Sequence, residues 1–217
     1  MLYPRVVRLN GKETLCDDTQ CVGYKEHMTQ NHRLLFLTGI IGARCITCGG
    51  GENDSHNLLM ALDSPKLNPD HKPIRIMITS PGGDVDSTFL LIDTMKIIQS
   101  PVITIGKFCA SAACLLLASG SKRYLYPHAK TMMHLATGQM GGDYKDFAIQ
   151  NKQMISYQNK IIDLLLSAGV KKSREEILID IDRDFWLEPK EVIEYGLCDE
   201  IITPEIWKEL IKEGKDD

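Results

Sequence analysis

Positive charge, long apolar runs and pairable cysteines are all scarce in this sequence, and each shortage removes a class of protein. The 25 Lys and Arg residues stand against 29 Asp and Glu, a formal net charge of −4, so nucleic acid is not expected as the main partner. The longest nearly apolar stretch, 110–118, is about half of what a membrane span needs, so no membrane partner is expected. The opening MLYPRVVRLNGKE interrupts its few apolar residues with Arg, Asn and Lys. It lacks the continuous apolar core of a secretory signal, and a protein that is not exported is expected. Seven cysteines, at 16, 21, 45, 48, 109, 114 and 198, are an odd number that does not suit a fully paired disulfide framework. A reducing compartment follows, the cytoplasm or else an organelle stroma or matrix. Internal repeats and low-complexity segments are also absent.

What is present is an ordinary globular balance. With 217 residues, 43% of them hydrophobic and 25% charged, the chain can bury one sizeable core and is too short for two ordinary catalytic domains. Cys16-x4-Cys21 and Cys45-x2-Cys48 have spacings from which four-thiolate zinc sites are built, the first at the loose end of the range. The alternative, and the expectation, is no metal: those four lie in irregular segments, and Cys109, Cys114 and Cys198 are small core residues. A thioredoxin-type role for Cys45-Ile-Thr-Cys48 is disfavoured, because GGG follows where a helix should open.

The chain then reads as alternating strands and helices. Residues 1–31 are polar and without sustained period, an arm rather than core. A buried strand over 34–38 stops at Gly39, a glycine-rich loop covers 42–54, and a short helix over 57–62 ends before Pro65. A β-branched strand over 74–79 leads through Ser80-Pro81-Gly82-Gly83 into a helix from about 86 to 99, with Phe89, Ile92, Met95 and Ile98 on one face. Pro101 restarts a strand over 102–106, followed by a buried helix over 111–118 closed by Gly120. Two short strands, 123–125 and 131–134, precede a long amphipathic helix over 144–167 that Gly169 ends. A final βα signal runs from Glu188 to Gly196, a closing strand takes 201–202, and the tail WKELIKEGKDD is a short polar helix or a frayed end. This order argues for an α/β fold with a mostly parallel sheet.

Ser111 is the first candidate for chemistry. It follows a strand and a glycine-containing turn and opens a helix whose first turn is Ala112-Ala113, where backbone N–H groups face outward and small neighbours admit a substrate carbonyl. The plain alternative is a helix N-cap. Its flanks do not form the G-x-S-x-G elbow of α/β-hydrolases. A serine nucleophile needs a base and the base an orienter. His134 ends the apolar strand TMMH, whereas His27, His32, His56 and His71 lie in polar segments and His128 in a Pro-His turn. Asp184 precedes Phe185-Trp186-Leu187, which promises a partly buried setting; the alternative for Asp182-Arg183-Asp184 is a charged turn. Gly82-Gly83 allows positive φ and close backbone approach, offering a second oxyanion donor and an edge for an extended peptide, or else a plain βα turn. It is no P-loop, since no Gly-Lys-Ser/Thr follows.

In this order RLLFLTG, ITSPGGDVDSTFLLIDTM, GKFCASAACLLLASG, RYLYPHAKTMMH and DRDFWLEPKEVIEYGLCDEI resemble the ClpP serine peptidases, the proteolytic component of the ATP-dependent Clp protease. The resemblance implies a ClpP/crotonase-like fold of repeated β-β-α units in a superhelix, with a mostly parallel sheet and a long protruding handle helix. It implies an N-terminal axial arm over 1–32, a peptidase domain over 33–203 with its handle at about 138–168, and a tail over 204–217. It further implies a catalytic triad of Ser111, His134 and Asp184, with the backbone N–H groups of Gly83 and Ala112 as oxyanion donors. Assembly would be with itself, as two stacked heptameric rings forming a tetradecamer. An AAA+ unfoldase of the ClpX, ClpA or ClpC type would feed in unfolded polypeptides. A chain of this length has no room for an ATPase, so ATP would be used by that partner, with no cofactor here. The departures are an extra residue between Gly106 and Ser111, Ala112 where the family has Met, Leu135-Ala136 where it has Gln-Pro, and about ten additional residues around Cys45 and Cys48. They motivate an alternative, a non-catalytic or weakly active ring subunit that assembles with active paralogues. A crotonase-like acyl-CoA enzyme is a third reading, against which the complete triad argues.

Overall fold

The structure, a computed structural model, describes residues 5–9, 12–16, 33–42 and 53–212. Two strands of the N-terminal arm, β1 (Arg5–Leu9) and β2 (Lys12–Cys16), pair antiparallel with each other. Five further strands form the path of the main sheet in chain order: β3 (Leu34–Thr38), β4 (Ile74–Ser80), β5 (Val102–Ala110), β6 (Lys122–Met133) and β7 (Phe185–Leu187). The first four are mutually parallel, β7 is antiparallel to the end of β6, and β8 (Glu200–Ile201) runs parallel to its beginning. A strand covered on both faces is nearly continuously apolar, and β4 answers this with Ile74, Ile76, Met77 and Ile78 all buried, interrupted by the buried Arg75. The mixed α/β expectation, with a mostly parallel sheet and one long helix, is borne out.

The connections carry seven helices among the described residues: α1 (Asn53–Leu62), α2 (Val85–Ile97), α3 (Ala112–Ala118), α4 (Tyr144–Ser167), α5 (Arg174–Asp180), α6 (Pro189–Tyr195) and α7 (Pro204–Lys212). Every residue of α3 is buried in the main core. In α4 only Ile161, Ile162 and Leu165 are buried, so its N-terminal half stands clear of the core, with Phe147, Ile149 and Ile155 exposed. No helix among the described residues is long and apolar enough to cross a membrane.

Several local expectations change. The strand expected to stop at Gly106 continues to Ala110, and Ser111 therefore follows strand directly rather than a turn. Ile78 pairs with Gly106 but Thr79 with Phe108, which makes Lys107 the additional residue of a β-bulge. The two short strands near 123 and 131 are one, because β6 also absorbs an irregularity between the residues facing Gly106 and Phe108. Up to Lys212 the tail is an amphipathic helix rather than a polar one: Leu210 is buried, and Ile206 and Trp207 pack beside it on Ile103, Ile105 and Ile202; residues 213–217 lie outside the described residues. Cys109, Cys114 and Cys198 are free and buried as expected. Burial pushes their thiols up, to about 12 for Cys114 and about 11 for Cys198. Of the cysteines weighed as zinc ligands, Cys21, Cys45 and Cys48 lie outside the described residues; Cys16 closes β2. Among the described residues no three His, Cys, Asp or Glu side chains are grouped to hold a metal ion.

Two polar junctions lock the layers together. Arg123 donates from Nη1 to the Ala168 and Gly196 carbonyls, both at 2.9 Å, and from Nε and Nη2 to Asp199, tying the C-terminal ends of α4 and α6 to β6. Asp63, beyond α1, accepts from the Ser100 N–H at 2.8 Å, the Ser100 hydroxyl at 2.6 Å and the Gln99 N–H at 3.0 Å, with His71 Nδ1 at 3.4 Å. Burial raises the Asp63 carboxyl, but these hydrogen bonds outweigh it and hold the group below its ordinary 3.8. A carboxyl depressed in the folded state stabilises above its unfolded value and loses that contribution as pH falls toward its folded one. Asp63→Asn is therefore expected to cost about 1–3 kcal/mol at neutral pH. Its thermal midpoint should also fall less steeply than the parent's between about pH 5 and about pH 3. Parallel slopes in thermal melts across that range would contradict this role.

Candidate functional site

Parallel strands end on one edge of the sheet, and open α/β sheets place their sites there. At that edge β3 leads to Ile41, β4 to Pro81-Gly82-Gly83, β5 to Ser111 and β6 to His134, while β7, running the other way, begins next to Asp184.

Ser111 occupies the N-cap position of α3 at φ 56° and ψ −126°, and its side chain makes no capping hydrogen bond. The N-cap alternative is thereby excluded, since a capping hydroxyl would accept from the first turn of its own helix. Instead Ser111 Oγ lies 2.8 Å from His134 Nε2. A positive φ is costly for a residue with a Cβ, and the neighbours enforce it. The Ser111 N–H donates to the Met132 carbonyl at 2.8 Å, and its own carbonyl accepts from Cys114. Gly82 presses on the same junction: a Cβ there would stand 2.7 Å from the Ala110 carbonyl and 2.7 Å from the Ser111 Cβ. Such a strained strand-to-helix turn is the mechanical content of a nucleophile elbow, here without its usual flanking glycines.

The neighbouring glycine is fixed from the other side. The Ile41 N–H donates to the Gly82 carbonyl at 2.8 Å and the Asp84 N–H to the Ile41 carbonyl at 2.9 Å, a parallel bridge between Ile41 and Gly83. In such a bridge the middle residue turns its own N–H and carbonyl to the opposite edge. Gly83 lines a pocket shared with Ser111 and Ala112, so its N–H is directed away from Ile41. Ala112 is the first residue of α3 and has no preceding turn to accept its N–H. The pocket continues over Val85 on one wall and Leu135, Ala136 and Thr137 on the other, above an apolar floor of Leu115, Ile161, Leu165 and Ile181. A hydroxyl bonded to an imidazole, beside two outward N–H groups over an apolar floor, can carry out acyl transfer.

Asp184 departs from its expected setting. It is exposed, not partly buried, and no hydrogen bond joins it to His134. The backbone nevertheless brings the two near each other, because Met133 and Phe185 form the last pair of the antiparallel β6–β7 ladder and His134 and Asp184 each adjoin that pair in the chain. Trp186, two residues on, is half exposed as well. His128 is exposed as expected but lies within strand β6 rather than in a turn, while His71, expected to be solvated, is only partly exposed and contacts Asp63. His27 and His32 lie outside the described residues. Ile41, which braces Gly83, and Gln158, which accepts from the Ala136 N–H at 2.7 Å, belong to the site and carry no motif. Only their place beside the glycine pair and on the inner face of the long helix could have pointed to them.

Comparison with known proteins places the chain in a family. The Clp protease family model matches residues 33–205. The chain is similar to ATP-dependent Clp protease proteolytic subunit 1 of Rhodopirellula baltica, 31% identical over 201 residues, covering 89% of this chain and 88% of that protein. It is 32% identical over 183 residues to the proteolytic subunit 1 of Protochlamydia amoebophila, 82% and 84% of the two chains. A chloroplastic proteolytic subunit 4 of Arabidopsis thaliana is 33% identical over 151 residues, 68% of this chain and 50% of that protein.

Gly82→Ala tests the elbow. The added methyl meets backbone on two sides at φ +96°, so the variant is expected to lose about 1–3 kcal/mol of stability. Its Ser111 should react at least about tenfold more slowly with a fluorophosphonate. Unchanged reactivity in a folded variant would show that Gly82 does not hold the serine.

Proposed function

The chain belongs to the Clp protease family, and from that premise we propose that it is a serine-type endopeptidase subunit that cleaves unfolded polypeptides. The observation that carries the proposal is the 2.8 Å contact between Ser111 Oγ and His134 Nε2, made by a serine whose hydroxyl is withdrawn from helix capping. His134 takes the hydroxyl proton as Ser111 Oγ attacks the peptide carbonyl carbon. The N–H groups of Gly83 and Ala112 receive the oxyanion, and the imidazolium then returns the proton to the leaving amine. Water, deprotonated by the same imidazole, releases the acyl group as a carboxylate and restores the hydroxyl. Rotation of its exposed side chain would let Asp184, next to the β6–β7 pair that adjoins His134, reach the other ring nitrogen and fix the tautomer.

The wider setting belongs to the same proposal. Copies of the chain assemble as two stacked heptameric rings, through surfaces such as the exposed apolar residues of α4. A separate AAA+ unfoldase of the ClpX, ClpA or ClpC type uses ATP to feed in substrate. The compartment is the cytoplasm, or an organelle stroma as the chloroplastic relative suggests. In the same proposal the peptidase domain covers 33–203, between an axial arm over 1–32 and a tail over 204–217. A second reading, a non-catalytic ring subunit working with active paralogues, is favoured by one observation, the exposure of Asp184 and its lack of a hydrogen bond to His134.

A fluorophosphonate probe separates the two. The assembled protein is expected to be labelled at Ser111, and labelling should vanish in Ser111→Ala; no labelling of an assembled ring would establish the non-catalytic reading. Asp184→Asn is expected to lower kcat for a fluorogenic peptide at least about a hundredfold with KM little changed. An unaltered kcat would leave Ser111 and His134 working as a dyad.

A further inference from the structure

Residues 134–143 link His134 to α4 without regular secondary structure, so their backbone groups need partners outside any sheet ladder. One stripe of α4 meets them. Gln158 Oε1 accepts from the Ala136 N–H at 2.7 Å. Gln150 Oε1 accepts from the Gly141 N–H at 3.0 Å, and its Nε2 donates to the Gly141 carbonyl at 2.7 Å. Between them, the Met154 methyl lies where a Cβ on Gly138 would stand, 2.5 Å from that position. Positions 150, 154 and 158 are successive i, i+4 neighbours on one helix face, and they meet 141, 138 and 136 in reverse order. Since an N–H can be received only by the amide oxygen, the Gln158 amide has one possible orientation. Its Nε2 is then buried with no hydrogen-bond partner among the described residues. A buried donor left unpaired is tolerated where the opposite end of the same amide makes a bond the structure needs.

The helix also reaches the other side of the pocket. Tyr157 donates its hydroxyl to the Asp86 carboxylate at 2.8 Å, one residue beyond the wall residue Val85, while Ile161 and Leu165 of the same helix form the floor. We propose that Gln150 and Gln158 are positioning residues: with Met154 they template the segment after His134, so that α4 sets the separation of the two pocket walls and thereby the entry of an extended peptide. This rests on the peptidase reading. The two glutamines contact backbone, so their hold does not depend on the Leu135-Ala136 side chains, whereas the Met154 contact requires that position 138 carry no side chain.

The test uses the full-length protein with Gln158→Met and Gln150→Met, which keep side-chain length and remove the polar atoms, and Gln158→Glu, which keeps the acceptor for Ala136. Amide hydrogen exchange is expected to quicken about tenfold over 135–141 in both Met variants and to stay unchanged in β4 and β5. For a fluorogenic peptide of six or more residues, kcat/KM should fall about tenfold in Gln158→Met, mostly through KM, and recover most of that loss in Gln158→Glu. Labelling of Ser111 by a small fluorophosphonate, which has no extended chain to seat, should fall far less than peptide cleavage. Unchanged exchange over 135–141 would overturn the template. So would peptide cleavage and probe labelling falling in parallel without rescue by Glu. A parent protein that fails to label would overturn the peptidase reading instead, and exchange would still decide the template.

Discussion

Ser111 stands in a backbone conformation that side-chain-bearing residues avoid, and the site exists because the surrounding structure leaves it no other. Strain of this kind persists only where neighbours over-determine it. Here the neighbours are β6, which takes the serine N–H through Met132, and Gly82, whose missing side chain lets the β4–α2 turn lie against the serine itself. The same turn is gripped by Ile41 from the far side, which orients Gly83 toward the pocket. Ser111 and Gly83 are thus held by one stack of backbone contacts across β3, β4, β5 and β6. The imidazole comes from the end of the same β6, two residues beyond the Met132 carbonyl that takes the serine N–H.

Much of this was legible in the sequence because it depends on residue types with few alternatives. A glycine pair after a β-branched strand, a serine before a run of small residues and a histidine closing an apolar strand each announce a local geometry, and parallel order brings all three to one edge. The 144–167 helix was legible for the same reason, its period and its Asp143 cap being local. Asp184 shows the limit. Its position in the chain puts it beside the β6–β7 pair that adjoins His134, but whether a carboxylate is covered depends on distant parts of the chain that local pattern does not report, and Asp184 is exposed. Helix α5 was overlooked although Ser173 and Glu176 form the reciprocal capping box that marks such a start. The tail looked polar because Ile206, Trp207 and Leu210 are few; their spacing, not their number, gives the helix an apolar face.

The long helix changes meaning once its contacts are known. Its apolar period explains how it rests on the core through Ile161, Ile162 and Leu165. It does not explain why two glutamines point inward, since periodicity treats any polar residue as solvent-facing. Polar side chains that bond to irregular backbone are structural elements of the loop they hold.

The bulge at Lys107 has a consequence for how the chain is counted. A residue gained within a central strand should shift everything after it by one position and turn each side chain to the wrong face. Here the gain is discharged locally: Gly106 and Phe108 resume pairing on either side of Lys107, which is pushed out to solvent. Cys109, Ala110 and Ser111 recover their places. The bulge thus takes up one residue ahead of Ser111 without turning the residues after it to the other face, and residue counting alone would misplace Ser111 by one.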